Sequence, residues 1–186
     1  RTGPHIPVSY TAQDARTVGD MFTLRATRSG PLAAMFEKNH NRWEAISWTE
    51  FHRMSASVAT GLLECGLKPG DRVAILGATR ASWSIYDMGC QLAGMVSLGI
   101  YPKQSPDQIK YLINHSDARV LFVDSEQELD QVLQGVGSCR KLKAIVPWTS
   151  DLYKRSKHRS KRIMDPQVFR GSPLAAAKIT EIQQDL

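Results

Sequence analysis

Near the far end of this sequence, Lys154-Arg155-Ser156-Lys157-His158-Arg159-Ser160-Lys161-Arg162 gathers six Lys and Arg in nine residues with no acid among them. Charge at that density attracts polyanions. Against an anionic membrane each cation near the surface is worth roughly 1 kcal/mol. Nucleic acid is the other polyanion, but base stacking needs aromatics interleaved with the cations, and only Tyr153 is close by. No nucleic-acid partner is therefore expected. Lys154, Arg155, Lys157, Arg159, Lys161 and Arg162 are read first as a solvated loop, since blocks of like charge are commonly no more than that, with contact with a membrane surface as the functional alternative.

The remaining chemistry-bearing residues are dispersed. Leu76-Gly77-Ala78-Thr79-Arg80 follows an apolar run and has the place of a ligand-binding strand-to-helix turn. It carries one glycine and neither of the glycine patterns that cradle phosphate, so Arg80 and Trp83 are expected to hold the turn against the fold. His5, His40, His52, His115 and His158 show no zinc-ligand spacing and read as surface histidines. Ser55, Ser57, Ser82 and Ser84 lack the Gly-x-Ser-x-Gly elbow of a hydrolase. Cys65, Cys90 and Cys139 are odd in number and far apart, which argues against a disulfide framework or a zinc site. No catalytic, cofactor-binding or metal-binding residue is assigned within the chain.

The elements that position these groups follow from hydrophobic spacing. A helix is expected over 18–27, then two strands over 32–36 and 43–48 joined through Lys38-Asn39-His40-Asn41 as a hairpin. Ser47 and Glu50 stand in the relation of a reciprocal capping box, and the helix they start runs to Gly66, placed for a left-handed cap. Short Val/Ile/Leu runs then alternate with amphipathic segments: strands over 72–76, 95–100, 120–123 and 144–146, helices over 82–93, from Pro106, and over 126–134. Apolar runs of this kind suit a parallel sheet buried on both faces. The expected fold class is α/β, a doubly wound, mostly parallel sheet with flanking helices, preceded by a β-hairpin. Residues 1–11 read as an extended lead-in, 149–171 as a basic, aperiodic loop, and 173–183 as a last helix.

Composition agrees with one folded unit. At 186 residues and 42% hydrophobic content the chain can bury a core. The formal charge of +6 comes from the basic block alone, because outside it 18 cations face 18 acids. No run approaches the roughly 20 apolar residues of a membrane span. A cytoplasmic protein is expected, peripheral to a membrane if the basic block binds one.

Four segments in order resemble one family. Gly66-Leu67-Lys68-Pro69-Gly70-Asp71-Arg72-Val73-Ala74-Ile75 is similar to a signature near the start of adenylate-forming acyl-CoA synthetases. Ala45-Ile46-Ser47-Trp48-Thr49-Glu50-Phe51 resembles the strand-to-helix segment upstream of it. Ala78-Thr79-Arg80-Ala81-Ser82-Trp83 and Gly99-Ile100-Tyr101-Pro102-Lys103-Gln104-Ser105-Pro106-Asp107-Gln108-Ile109 resemble segments of the long-chain fatty acyl-CoA ligases.

The resemblance implies a fatty acid substrate, with ATP, Mg2+ and CoA as the cofactors of a complete member, and an acyl-adenylate on the way to acyl-CoA. It also implies that the phosphate loop follows a segment like Ile179-Thr180-Glu181-Ile182-Gln183-Gln184-Asp185-Leu186. The expected division is an α/β subdomain over 1–148, a basic loop over 149–171, and an extension over 172–186 leading toward that loop. On this reading the chain is the front of a ligase, truncated before the phosphate loop and inactive alone. The alternatives are half of a split enzyme, a non-catalytic interaction module that self-associates or binds a complementary polypeptide, and a small CoA- or nucleotide-binding domain.

Overall fold

The first helix begins where Thr17 and Asp20 satisfy each other's amides: the Thr17 hydroxyl accepts from Asp20 N at 3.0 Å, and the Asp20 carboxylate accepts from Thr17 N at 3.3 Å. In the computed structural model, which describes residues 15–170 with Ile179, Glu181 and Ile182, this helix is α1 (Val18–Ser29). Strands β1 (Ala33–Asn39) and β2 (Arg42–Ser47) form an antiparallel hairpin. Its two-residue turn, His40-Asn41, takes φ of 44° and 64°, the positive values that match a tight turn to strand twist.

Helix α2 (Trp48–Glu64) starts at Ser47, whose hydroxyl accepts from Glu50 N at 3.2 Å. The reciprocal half of the expected capping box does not form. The Glu50 carboxylate turns instead to Arg53, one turn on, and accepts from Nη2 at 2.6 Å and Nε at 2.9 Å. A two-pronged, charge-assisted bond outweighs a single bond to an amide. At the other end Gly66 adopts φ 78° as expected, and Leu67 N donates to Leu62 O across the cap.

The main sheet comprises β3 (Arg72–Leu76), β4 (Val96–Ile100), β5 (Val120–Val123) and β6 (Ala144–Pro147), all parallel, in the order β4-β3-β5-β6. Helices α3 (Ala81–Leu92), α4 (Pro106–Ser116) and α5 (Glu126–Gly135) connect them in turn. Helix α4 starts on the full Ser105/Gln108 box with Pro106 in its first turn. Successive residues of the central strands serve opposite layers. Val73, Ile75, Phe122 and Val146 meet α1, α2 and α3 on one face; Ala74, Leu76, Leu121 and Ile145 meet α4 and α5 on the other. The architecture is the doubly wound α/β sheet the apolar runs imply. One run departs from the pattern: β4 is an edge strand, and Val96 is 52% exposed. An apolar run reports strand propensity, not which strand ends up outermost.

The part of the basic segment that is described, 149–170, is more ordered than its composition suggests. Helix α6 (Ser150–Ser156) starts on the Thr149 hydroxyl and buries Leu152 and Ser156. Ile163 then pairs alongside Ile145 in parallel, and a 3-10 turn at Pro166–Phe169 inserts Phe169 against Phe122. Five buried residues, Leu152, Ser156, Ile163, Pro166 and Phe169, hold this segment at intervals too irregular to leave a periodic signal. The lead-in over 1–11 lies outside the described residues, as does most of the helix expected over 173–183, although Ile179 is helical and buried.

Glycine sets the spacing of α2 and α3. A Cβ at Gly89 would stand 2.6 Å from Val58 Cγ1 and 3.0 Å from Ser55 O. Neither a β-branched side chain nor a backbone carbonyl can yield. Gly89→Ala gains up to about 1 kcal/mol of helix propensity, but overpacking typically costs about 1–3 kcal/mol. Net destabilisation is expected in urea unfolding, and a stabilised variant would contradict this packing.

At the amino edge of the sheet Asp71 accepts from Lys68 N at 2.8 Å and pairs with Arg119 at 2.7 Å. Burial raises this carboxyl, but the Lys68 amide and the Arg119 guanidinium outweigh it and hold it below the ordinary aspartate value. A lowered carboxyl stabilises the fold fully above its unfolded pKa of about 3.9, and that contribution is lost as pH falls through the lowered value. The difference in Tm between wild type and Asp71→Asn is expected to be widest near neutrality and to close as pH drops below about 4. A gap independent of pH would count against it.

Candidate functional site

Strand order reverses around β3, so the carboxyl ends of β3 and β5 border the crevice where open α/β sheets take ligands. Asp124, the residue after β5, closes that crevice. Its side chain is only 7% exposed; it accepts from Ala78 N at 3.3 Å and pairs with Arg80 Nη1 at 3.4 Å. Asp124 N donates to Leu76 O, tying the two strand ends together. Arg80 is thus a turn-holding residue, as its position implies. Trp83 serves the neighbouring strand, where a Cβ on Gly99 would come within 3.2 Å of its ring.

Trp148 lies directly after β6, and its N donates to Val123 O at 2.9 Å. The indole lies across Gly77: a Cβ there would be 2.6 Å from Trp148 Cζ2 and Cη2 and 2.6 Å from Asp124 Cβ. Only glycine permits this approach. Trp148 Nε1 is buried without a hydrogen-bond partner. Tyr86 of α3 stacks on Phe122 at 4.0 Å and tilts against Trp148 at 5.6 Å. Burial pushes its hydroxyl far above the ordinary tyrosine value, against the pull of Arg170, with Asp124 adding to the rise. It is a neutral donor at any physiological pH.

A cavity of about 390 Å3 opens beside these rings, lined by Arg53, Ser57, Ser82, Tyr86, Trp148 and Arg170 among others. A more apolar groove of about 530 Å3 runs between α1, the hairpin and α3, with Met21, Met35, Trp48 and Met88 in its walls. Ala78 and Asp124 line neither of them and belong to the crevice. The amide of Ala78, which a phosphate would need, is given to Asp124, and the Asp124 carboxylate would repel the phosphate. No cluster of three His, Cys, Asp or Glu suited to a metal ion occurs among the described residues. The crevice therefore does not fit ATP with Mg2+, and no chemical step is assigned to it.

The basic block divides by residue type. Arg155 pairs with Glu126 at 3.8 Å, Arg159 with Asp130 at 2.7 Å, and Arg162 Nη1 donates to Val136 O at 2.8 Å. Lys154, Lys157 and Lys161 are exposed. His52 departs from the surface reading. It is half-buried against Phe22, within hydrogen-bond distance of Thr23 Oγ1 at 3.2 Å, and burial lowers its pKa. Ser55 is buried and Ser57 donates to Arg53 O, so both belong to the α2 scaffold. Cys65, Cys90 and Cys139 are free thiols. No helix among the described residues is long and apolar enough to cross a membrane.

Asp124, Tyr86 and Trp148 were not singled out from the sequence. Their signal is weak: an acid ending an apolar run, and two aromatics 62 positions apart that only the sheet brings into contact. Gly77→Ala is expected to displace the indole, giving a red shift in tryptophan emission and a lower Tm. Unchanged spectrum and stability would refute the close approach.

Comparison with known proteins places this scaffold. The model of the AMP-binding enzyme family matches residues 22–180. Long-chain-fatty-acid–CoA ligase ACSBG1 of Bos taurus is 32% identical over 135 residues, covering 73% of this chain and 19% of the relative. ACSBG2 of Homo sapiens is 30% identical over 141 residues, covering 75% and 21%. The chain thus spans about a fifth of the length of these curated relatives. Among solved structures, coronafacic acid ligase from Pectobacterium brasiliense superposes with a TM-score of 0.73 at 23% identity, over 84% of this chain and 30% of that one. The N-terminal domain of FACL13 from Mycobacterium tuberculosis gives 0.66 at 19% identity, over 76% and 35%. The shared sheet and helices are a common fold, and the family match extends over most of the sequence: the chain belongs to the AMP-binding enzyme family.

Proposed function

We propose that this chain is the leading scaffold of a long-chain fatty acid–CoA ligase and has no ligase activity by itself. In the whole protein a fatty carboxylate would displace pyrophosphate from ATP, and the thiol of CoA would then displace AMP from the acyl group. The observation that carries the reading is the closed carboxyl edge. Asp124 takes the Ala78 amide and the Arg80 guanidinium, so the groups that neutralise phosphoryl charge have to come from elsewhere in such a protein. The likeness to the long-chain ligases of cattle and humans supports the substrate class. What this chain supplies is a rigid two-faced sheet.

Exposed apolar surface favours a second part, whether a complementary polypeptide or another copy. Val96 stands out from the free edge of β4, and Phe36 and Trp43 are 62% and 68% exposed on one face of the hairpin. Aromatics displayed in this way mark surfaces that seek a partner. Fatty-acid-dependent exchange of labelled pyrophosphate into ATP is expected to stay at the no-protein level with this chain alone. It is expected to appear on mixing with a polypeptide that begins at the family's phosphate loop. Exchange by the chain alone would overturn the scaffold reading.

A further inference from the structure

The arginines of the basic block are tied to partners on neighbouring elements, although Arg155 and Arg159 stay exposed, and the three lysines carry no such tie. Arg155 and Arg159 are matched by Glu126 and Asp130 of α5, and Arg162 caps the carbonyl of Val136. Beneath them Leu152, Ser156 and Ile163 are buried, so 150–163 is fastened to the body of the protein. Lys154, Lys157 and Lys161, with His158 between them, point to solvent from the end of α6 and the turn after it. Asp151, in the first turn of α6, is the exposed acid of that helix.

We propose that Lys154, Lys157 and Lys161 form a docking surface for an anionic lipid bilayer, held on a platform that the three arginines build. The inference is independent of the proposed ligase role. Three exposed cations within eight residues of a fastened segment present one local positive field, and little backbone order has to be created on contact. Nucleic acid is the less suitable polyanion, because Tyr153, the aromatic within the segment, is partly buried against the core and stands alone, where stacking needs several exposed rings. Each lysine near the membrane strengthens binding about fivefold at physiological salt, so the three together are worth roughly a hundredfold.

The test is co-sedimentation of the full chain with phosphatidylcholine vesicles, with and without phosphatidylserine. Binding is expected with phosphatidylserine only, and to weaken as salt rises. The variant Lys154→Gln/Lys157→Gln/Lys161→Gln is expected to lose affinity roughly a hundredfold with no change in Tm. A second variant removes the ion pairs without altering net charge: Glu126→Gln with Arg155→Gln, and Asp130→Asn with Arg159→Gln. It is expected to melt at a lower temperature and to bind the vesicles more weakly than wild type but more tightly than the lysine variant. Equal pelleting of wild type and the lysine variant overturns the proposal, as does pelleting with phosphatidylcholine alone, or binding to single-stranded RNA more tightly than to phosphatidylserine vesicles.

Discussion

Everything in this protein is arranged about two strands that are dry on both sides. In β3 and β5, Val73, Ala74, Ile75, Leu76 and Val120, Leu121, Phe122, Val123 have no accessible surface at all. Full burial of a side chain such as Ile75 contributes about 1.5–3 kcal/mol, and neither strand can collect it unless both helical layers are in place. The connections follow from that. Helix α3 covers one face, while α4 and α5 cover the other, and the strand order reverses where the chain changes sides.

Where the order reverses, the fold brings three carboxyl-terminal strand ends together, and they are closed from within. Asp124 would be an uncompensated buried charge but for Arg80 and the Ala78 amide, and Gly77 gives up its side chain so that Trp148 can cover the joint. A crevice of this type often receives a ligand. Here it is used as a fastening.

The distribution of charge shows the same economy at the surface. Six cations in the basic block read as one feature along the chain, yet α5 presents Glu126 and Asp130 at the spacing of one helical turn and pairs with two of the arginines at the surface. Arg suits that role because its planar fork makes directed bonds, whereas the compact ammonium of Lys is best left hydrated until it meets an extended field. At the amino edge Asp71 and Asp117 are held below ordinary aspartate values, Asp117 by the hydrogen bond from Lys141 before other charges.

The sequence by itself determined the local structure and the family. Apolar runs of four or five residues give β3, β5 and β6, Ser105-Pro106-Asp107-Gln108 starts α4, Gly66 ends α2, and the order of the four resembling segments points to the acyl-CoA ligases, because each of these signals is written in neighbours along the chain. Only the tertiary structure decided that β4 is an edge, that 150–156 is a helix packed on the body and that His52 is half-buried. It also decided that Asp124, Tyr86 and Trp148 converge. Those outcomes depend on which side chain wins a contact between segments far apart in sequence, and a competition across space leaves no period to read.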